Sequence, residues 1–190
     1  MGLRNILKST DPALRKKSRV ITEFNPRLHK LLDDMHETML DANGLGLAAP
    51  QVGVLRRAVL VVDTNIEPEE GSDEPVESII ELINPEIISS AGLEDGSEGC
   101  LSMPGIFGMV KRPTFVTVRA QDRFGNTFDV SGEGLTARAI CHEINHLDGV
   151  LFVDLASHLL SEEELEKIAA EKLSEELSGD YAFDDEDGKS

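Results

Sequence analysis

The chain has 190 residues and a mass of 20.7 kDa, with 40% hydrophobic and 28% charged residues, which suits one globular domain with a real core. Eighteen basic residues against 36 acidic ones leave a net charge of −18, which argues against nucleic-acid binding by the chain as a whole and against any specific DNA partner. Two cysteines, Cys100 and Cys141, exclude a disulfide-stapled scaffold, and no apolar run nears the ~20 residues of a membrane span.

The charge is uneven: residues 1–30 carry +6, residues 31–160 carry −15 and residues 161–190 carry −9. The basic start resembles an organelle transit peptide but has no secretory apolar stretch. The Asp11-Pro12-Ala13-Leu14 turn follows at once, so the segment reads as part of the domain and the expected location is cytoplasmic. Residues 25–42 predict the first helix, with Asn25 as cap, Pro26 in the first turn, and Leu28, Leu31, Leu32, Met35 and Met39 at helical spacing. Gly44 ends it and opens a Gly-rich stretch through Gln51. Val59–Val62 predicts a strand, and residues 63–77, with seven acidic side chains, a solvated loop.

Strand-like segments recur at 79–83, 86–90, 114–120 and 126–131. Residues 135–147 return to helical spacing and Gly149 stands just past their end. Ser161 with Glu164 three residues on forms a capping-box pattern for a last acidic helix over 161–178, before an acidic tail at 179–190 expected to be disordered. The expected fold is α+β: short antiparallel strands in small sheets around a central helix, with an N-terminal and a C-terminal helix. Residues 1–160 are expected to form its main domain.

The chemistry concentrates in His142-Glu143-Ile144-Asn145-His146. Histidines at i and i+4 share one helix face and can reach one divalent metal, with Glu143 placed to act on metal-bound water. Such a site needs a third protein ligand. The position six residues past His146 is Phe152, which cannot serve. Glu166 is available twenty residues on, though it reads more simply as part of a solvated helix face, and as ligand it would make the chain an HExxH metallopeptidase. Cys100, in Glu98-Gly99-Cys100-Leu101-Ser102, is the other candidate.

Three segments in order, Gly44-Leu45-Gly46-Leu47-Ala48-Ala49-Pro50-Gln51, Glu98 to Ser102 and His142 to His146, resemble the motifs of peptide deformylases. The likeness covers roughly residues 3–160. It implies a metal held by Cys100, His142 and His146, Fe²⁺ in cells, with Zn²⁺, Ni²⁺ or Co²⁺ able to substitute. The implied reaction is hydrolysis of the N-formyl group from nascent formyl-methionyl polypeptides, with Glu143 as general acid and base. The resemblance also implies Gln51 and the Leu101 N–H as oxyanion donors, and a Gly46 that admits substrate backbone. Leu45, Leu135 and Ala139 are candidates for the methionine pocket, or else plain core.

Two positions depart from the family pattern: Asn145 stands where Asp is usual, and Cys141 where Gln is usual. Losing the carboxylate should weaken a charge-assisted contact, for which Arg112 is the candidate donor. His29, His36 and His158 have no motif partner and are read as non-ligands. Some relatives dock on the ribosome through a C-terminal helix. Here that helix is acidic, so the basic residues 1–30, with Arg15, Lys16, Lys17 and Arg19 clustered, are the better electrostatic candidate.

Overall fold

The computed structural model describes residues 2–65 and 78–179. Of the loop expected at 63–77, Asp63 instead ends a strand and residues 66–77 lie outside the described residues; of the tail expected at 179–190, Gly179 instead ends the last helix and residues 180–190 lie outside them. The architecture is mixed α+β, with two antiparallel sheets and three α-helices.

Helix α1 (Pro26–Asp41) starts as its sequence dictates: the Asn25 side chain accepts from the Arg27 and Leu28 N–H groups. Its end is a correction. Asn43, not Gly44, takes the left-handed conformation (φ 51°), while Gly44 N–H reaches back to Met39 O at 2.9 Å. Gly44 is needed for space instead, because a Cβ there would sit 2.8 Å from the Leu101 side chain.

The larger sheet orders β1 (Gly46–Ala48), β2 (Ala58–Asp63), β3 (Ser78–Ala91), β6 (Phe115–Gln121) and β7 (Thr127–Glu133). Strand alternation gives β2 two buried faces. Ala58 and Leu60 join the α1 residues Leu28, Leu32, Met35 and Met39, while Val59 and Val61 join a second cluster with Val116 and Val118. Helix α2 (Gly134–Leu147) supplies Ala137, Ile140, Ile144 and Leu147 to that second cluster. The large sheet is therefore packed between α1 and α2. The two segments expected at 79–83 and 86–90 are one strand. Asn84 (φ 52°) and Pro85 break its register without ending it, and the Asn84 side chain pairs with the Ile21 backbone at 2.8 Å in both directions.

The smaller sheet holds β4 (Glu94–Cys100), β5 (Met103–Arg112) and β8 (His158–Leu159). Beneath it lies a small cluster of Leu14, Met103, Val110, Leu151 and Phe152. Helix α3 (Glu162–Gly179) begins with the expected capping box: Glu164 N–H donates to Ser161 Oγ, and the Ser161 N–H donates to Glu164 Oε2 at 2.8 Å. No helix among the described residues is long and apolar enough to cross a membrane.

The first twenty residues are laced across the domain. Leu7 N–H donates to Gln51 O, Ser9 N–H to Ser102 O and Ser18 N–H to Leu147 O, at 2.7–2.9 Å. Gly149 (φ 76°) closes α2, and a Cβ there would lie 2.6 Å from Arg15 O.

Candidate metal centre

Two helical turns and one strand end bring the predicted donors together. His142 and His146 lie one turn apart on the buried side of α2, and Cys100 closes β4. His142 Nε2 and His146 Nε2 are 3.2 Å apart, and Cys100 Sγ is 3.3 Å from His146 Nε2. All three donor atoms lie within 4.8 Å of one another, and they are the one such group among the described residues. Three electron-pair donors aimed at one point repel unless a cation or proton lies among them, and two imidazoles with a thiolate suit Zn²⁺ or Fe²⁺. The residues present therefore fit a divalent metal. Glu166 is exposed on α3 and stands outside this group. His29 instead contacts the Arg123 carbonyl, and His158 contacts Ser157 and Glu164.

The electrostatics treat the two histidines differently. Burial works against a charge on His142, but the adjoining Cys100 and Glu98 outweigh it and raise its pKa. Burial, then the neighbouring His142, lowers that of His146, which keeps its imidazole neutral and able to donate an electron pair. Glu98 holds His142 Nδ1 at 3.0 Å and is itself gripped by Arg112 through Nε at 2.8 Å and Nη2 at 2.9 Å. Burial alone would raise the Glu98 carboxyl, but the Arg112 and His142 contacts hold it at about 2. The remaining arm of Arg112 donates to Asn145 Oδ1, so the expected contact is present with a neutral acceptor.

Glu143 is buried, and desolvation pushes its carboxyl up to about 7. Among the described residues its Oε2 has no hydrogen-bond partner. Gly46 on β1 faces it, and a Cβ at that position would come within 2.5 Å of Glu143 Oε1. Gln51 lies in a short 3₁₀ turn, Ala49–Val52, and its Oε1 accepts from Ala48 N–H at 2.7 Å. That anchor turns Nε2 toward the centre, where it lies 3.5 Å from Cys100 Sγ and makes a long, readily exchanged contact of 3.4 Å to Ser102 Oγ.

A cleft of about 470 Å³ opens over these groups, and Leu45, Gly46, Gln51, Leu101, Leu135 and Ala139 all line it. Leu45 is 44% and Leu135 49% exposed, so neither is plain core. Three features escaped the sequence: the opposite wall made by Ile106 and Phe107, the grip on Glu98, and Arg138. Their only local signal was the Glu98-Gly99 pair beside Cys100, because the partners come from other elements.

A family profile described as polypeptide deformylase matches residues 3–162. A peptide deformylase from Caldicellulosiruptor bescii is 54% identical over 167 residues, 88% of this chain and 93% of its own. Among solved structures, the peptide deformylase from Thermotoga maritima superposes with a TM-score of 0.74 at 36% identity, covering 82% of this chain and 99% of its own. A class I type b peptide deformylase from Acinetobacter baumannii, bound to Met-Ala-Ser, gives 0.72 at 32% identity, covering 80% and 98%.

Proposed function

The chain belongs to the polypeptide deformylase family and is an enzyme that removes the N-formyl group from nascent peptides, and on that premise we propose that Cys100, His142 and His146 hold the single divalent metal of the reaction. The observation that carries this reading is the convergence of those three donors beside a buried Glu143 on the cleft wall. A divalent ion bound there supplies a Lewis acid that activates water and polarises the formyl oxygen. We assign Fe²⁺ as that ion, with Zn²⁺, Ni²⁺ or Co²⁺ as substitutes, from the mixed sulfur and nitrogen donor set.

The residues divide the remaining work. Glu143, with its carboxyl near 7 and Oε2 unpartnered, takes a proton from the attacking water and returns it to the leaving amine, and formate departs. Gln51 Nε2, held by its anchored Oε1, donates to the oxygen on which negative charge develops, and the Leu101 N–H is the second donor. Gly46 lets the peptide backbone run close to Glu143. Leu45, Leu135 and Ala139 receive the methionine side chain, with Ile106 and Phe107 facing them. The Acinetobacter relative, bound to a peptide that begins with Met, supports that choice of substrate.

In this reading residues 1–160 are the catalytic domain, with α2 as the central element that both sheets pack against, and α3 is appended to it. The site of action is the cytoplasm, where nascent chains emerge. Ribosome docking is assigned to the basic N-terminal segment, although Arg15 pairs with Asp154 and Lys17 lies 3.7 Å from Asp148, so that among the described residues Lys16 is the one cation of that trio without a carboxylate partner. Replacing Arg15, Lys16 and Lys17 by Glu should weaken co-sedimentation with ribosomes modestly and flatten its salt dependence. Formate release from formyl-Met-Ala by anaerobically purified protein tests the activity. Cys100→Ala should abolish it together with metal content, while Glu166→Ala should change neither; the reverse pattern would overturn the ligand assignment.

A further inference from the structure

We propose that Arg138 is a positioning residue that fixes the distance between the sulfur and nitrogen donors, an inference that rests on the metal reading above. The donors come from two separate pieces of the fold. His142 and His146 ride on α2, whereas Cys100 and the Glu98 that orients His142 ride on β4. Any slippage of β4 along α2 therefore distorts the donor triangle.

Among the described residues, the apolar clusters do little to prevent that slippage. The cluster of α2 is built with the large sheet, and the cluster under β5 contains no residue of α2. The connection between α2 and the small sheet is polar, and Arg138 makes most of it. From one turn before His142, its Nη1 donates to Val110 O on β5 at 2.8 Å, to Glu98 Oε1 at 3.1 Å and to Gly96 O at 3.4 Å. Its Nη2 donates to Glu94 O on β4 at 3.1 Å. One guanidinium thus spans both strands of the hairpin and the carboxylate that orients a donor.

The hairpin is shaped to receive it. A Cβ at Gly96 would lie 2.6 Å from Arg138 Nη2 and 2.7 Å from Cζ, so only glycine lets the guanidinium lie against β4. The side chain is 12% exposed, which shields these bonds from water. Besides the Glu98–His142 contact itself, Arg112 provides a second tie, from β5 directly to Asn145 on α2 while it also grips Glu98. Because Asn145 is neutral, that second tie lacks the strength of an ion pair at its helix end, and more of the alignment falls to Arg138. A lysine cannot substitute: its single ammonium keeps the charge near Glu98 but cannot bridge carbonyls on two strands.

The test uses the Co²⁺-loaded protein, which reports thiolate ligation by absorption and metal loss by transfer to a chelator. Arg138→Met should lose Co²⁺ about ten- to a hundredfold faster than the parent and weaken the thiolate-to-cobalt band. Arg138→Lys should resemble the Met variant rather than the parent, and it carries the test by itself if Arg138→Met fails to fold. Arg123→Met, which removes a comparable tie to Glu81 and Asp33 at the large sheet, should leave both readings unchanged. Parent-like rate and spectrum in both Arg138 variants, or equally fast loss from Arg123→Met, would overturn the proposal. Failure of the underlying ligand reading would look different: Cys100→Ala would then retain Co²⁺ with the parent affinity.

Discussion

The two sheets are held together by opposite means. The five-stranded sheet is filled from both sides by aliphatic side chains, with Leu60, Val61, Leu82, Ile83, Val116 and Val118 fully buried. Among the described residues the three-stranded sheet has one small apolar cluster, and its buried links to α2 are the contacts of Glu98 with Arg138 and His142, braced within the sheet by the Glu98–Arg112 ion pair. Apolar packing is non-directional and tolerant, and it supplies stability; buried polar ties contribute less net stability but specify one geometry. The proposed metal donors, Cys100, His142 and His146, stand where the second kind of interaction meets the first.

Separating stability from chemistry in this way leads to expectations that variants can break. The largest effect falls on the chemistry. Glu143→Gln keeps the shape but cannot take the water proton, so turnover should drop by ~10²–10⁴-fold with metal content and melting temperature near the parent values. Steady-state kinetics beside metal analysis decides it, and parent-like turnover would remove Glu143 from the mechanism. On the other side, Leu60→Ala should cost about 2–5 kcal/mol of stability by leaving a cavity between α1 and the sheet. Its kcat/KM at 25 °C should stay close to the parent as long as the protein is folded. A denaturant titration read together with an activity assay would show whether the two functions separate.

Gly46→Ala sharpens the comparison because it stands where the sheets' roles overlap. Its Cβ would press on the Glu143 carboxylate, the free end of a side chain, so the backbone survives while the base is displaced. Activity should fall roughly tenfold or more, since small misplacements of a reacting group are costly, and the thermal midpoint should move little. The smallest effect concerns Asp34, on the buried side of α1. Its contact with Lys30 lowers its pKa against the opposing cost of burial, and Gly2 N–H and Arg4 lower it further. A carboxyl depressed in the folded state contributes stability above its unfolded pKa near 3.8 and loses it as pH falls through the lower folded value. Asp34→Asn should flatten the stability curve in that acid window and nowhere above it, which unfolding titrations across pH 2–5 would test.

What could be read from the sequence follows the same divide. β2, β6 and β7 announce themselves through β-branched alternation, and α1, α2 and α3 through periodicity and caps such as Asn25, Gly149 and the Ser161–Glu164 pair. β4 and β5 do not: Glu94-Asp95-Gly96-Ser97-Glu98-Gly99 has almost no strand propensity and forms a strand because its glycines make room for Arg138 and Phe107. β1 and β8 are too short to carry a pattern. The spacing of His142 and His146 was legible because a helix turns that spacing into proximity. The grip of Arg138 and Arg112 on Glu98 was not, because it depends on how three elements meet.

The lacing of the first twenty residues has a consequence for how the molecule is made. Leu7, Ser9 and Ser18 donate to the backbone at Gln51, Ser102 and Leu147, one acceptor in or beside each of the three site-bearing segments. A chain elongating at ~10 residues per second exposes those donors on the order of ten seconds before the last acceptor exists. This segment is therefore synthesised before all three of its acceptors and is among the last to settle, and closing it locks the three segments into register. Sequence changes at residues 7–18 can lower the yield of active protein without touching any side chain that handles substrate, through the time the unfinished chain spends open.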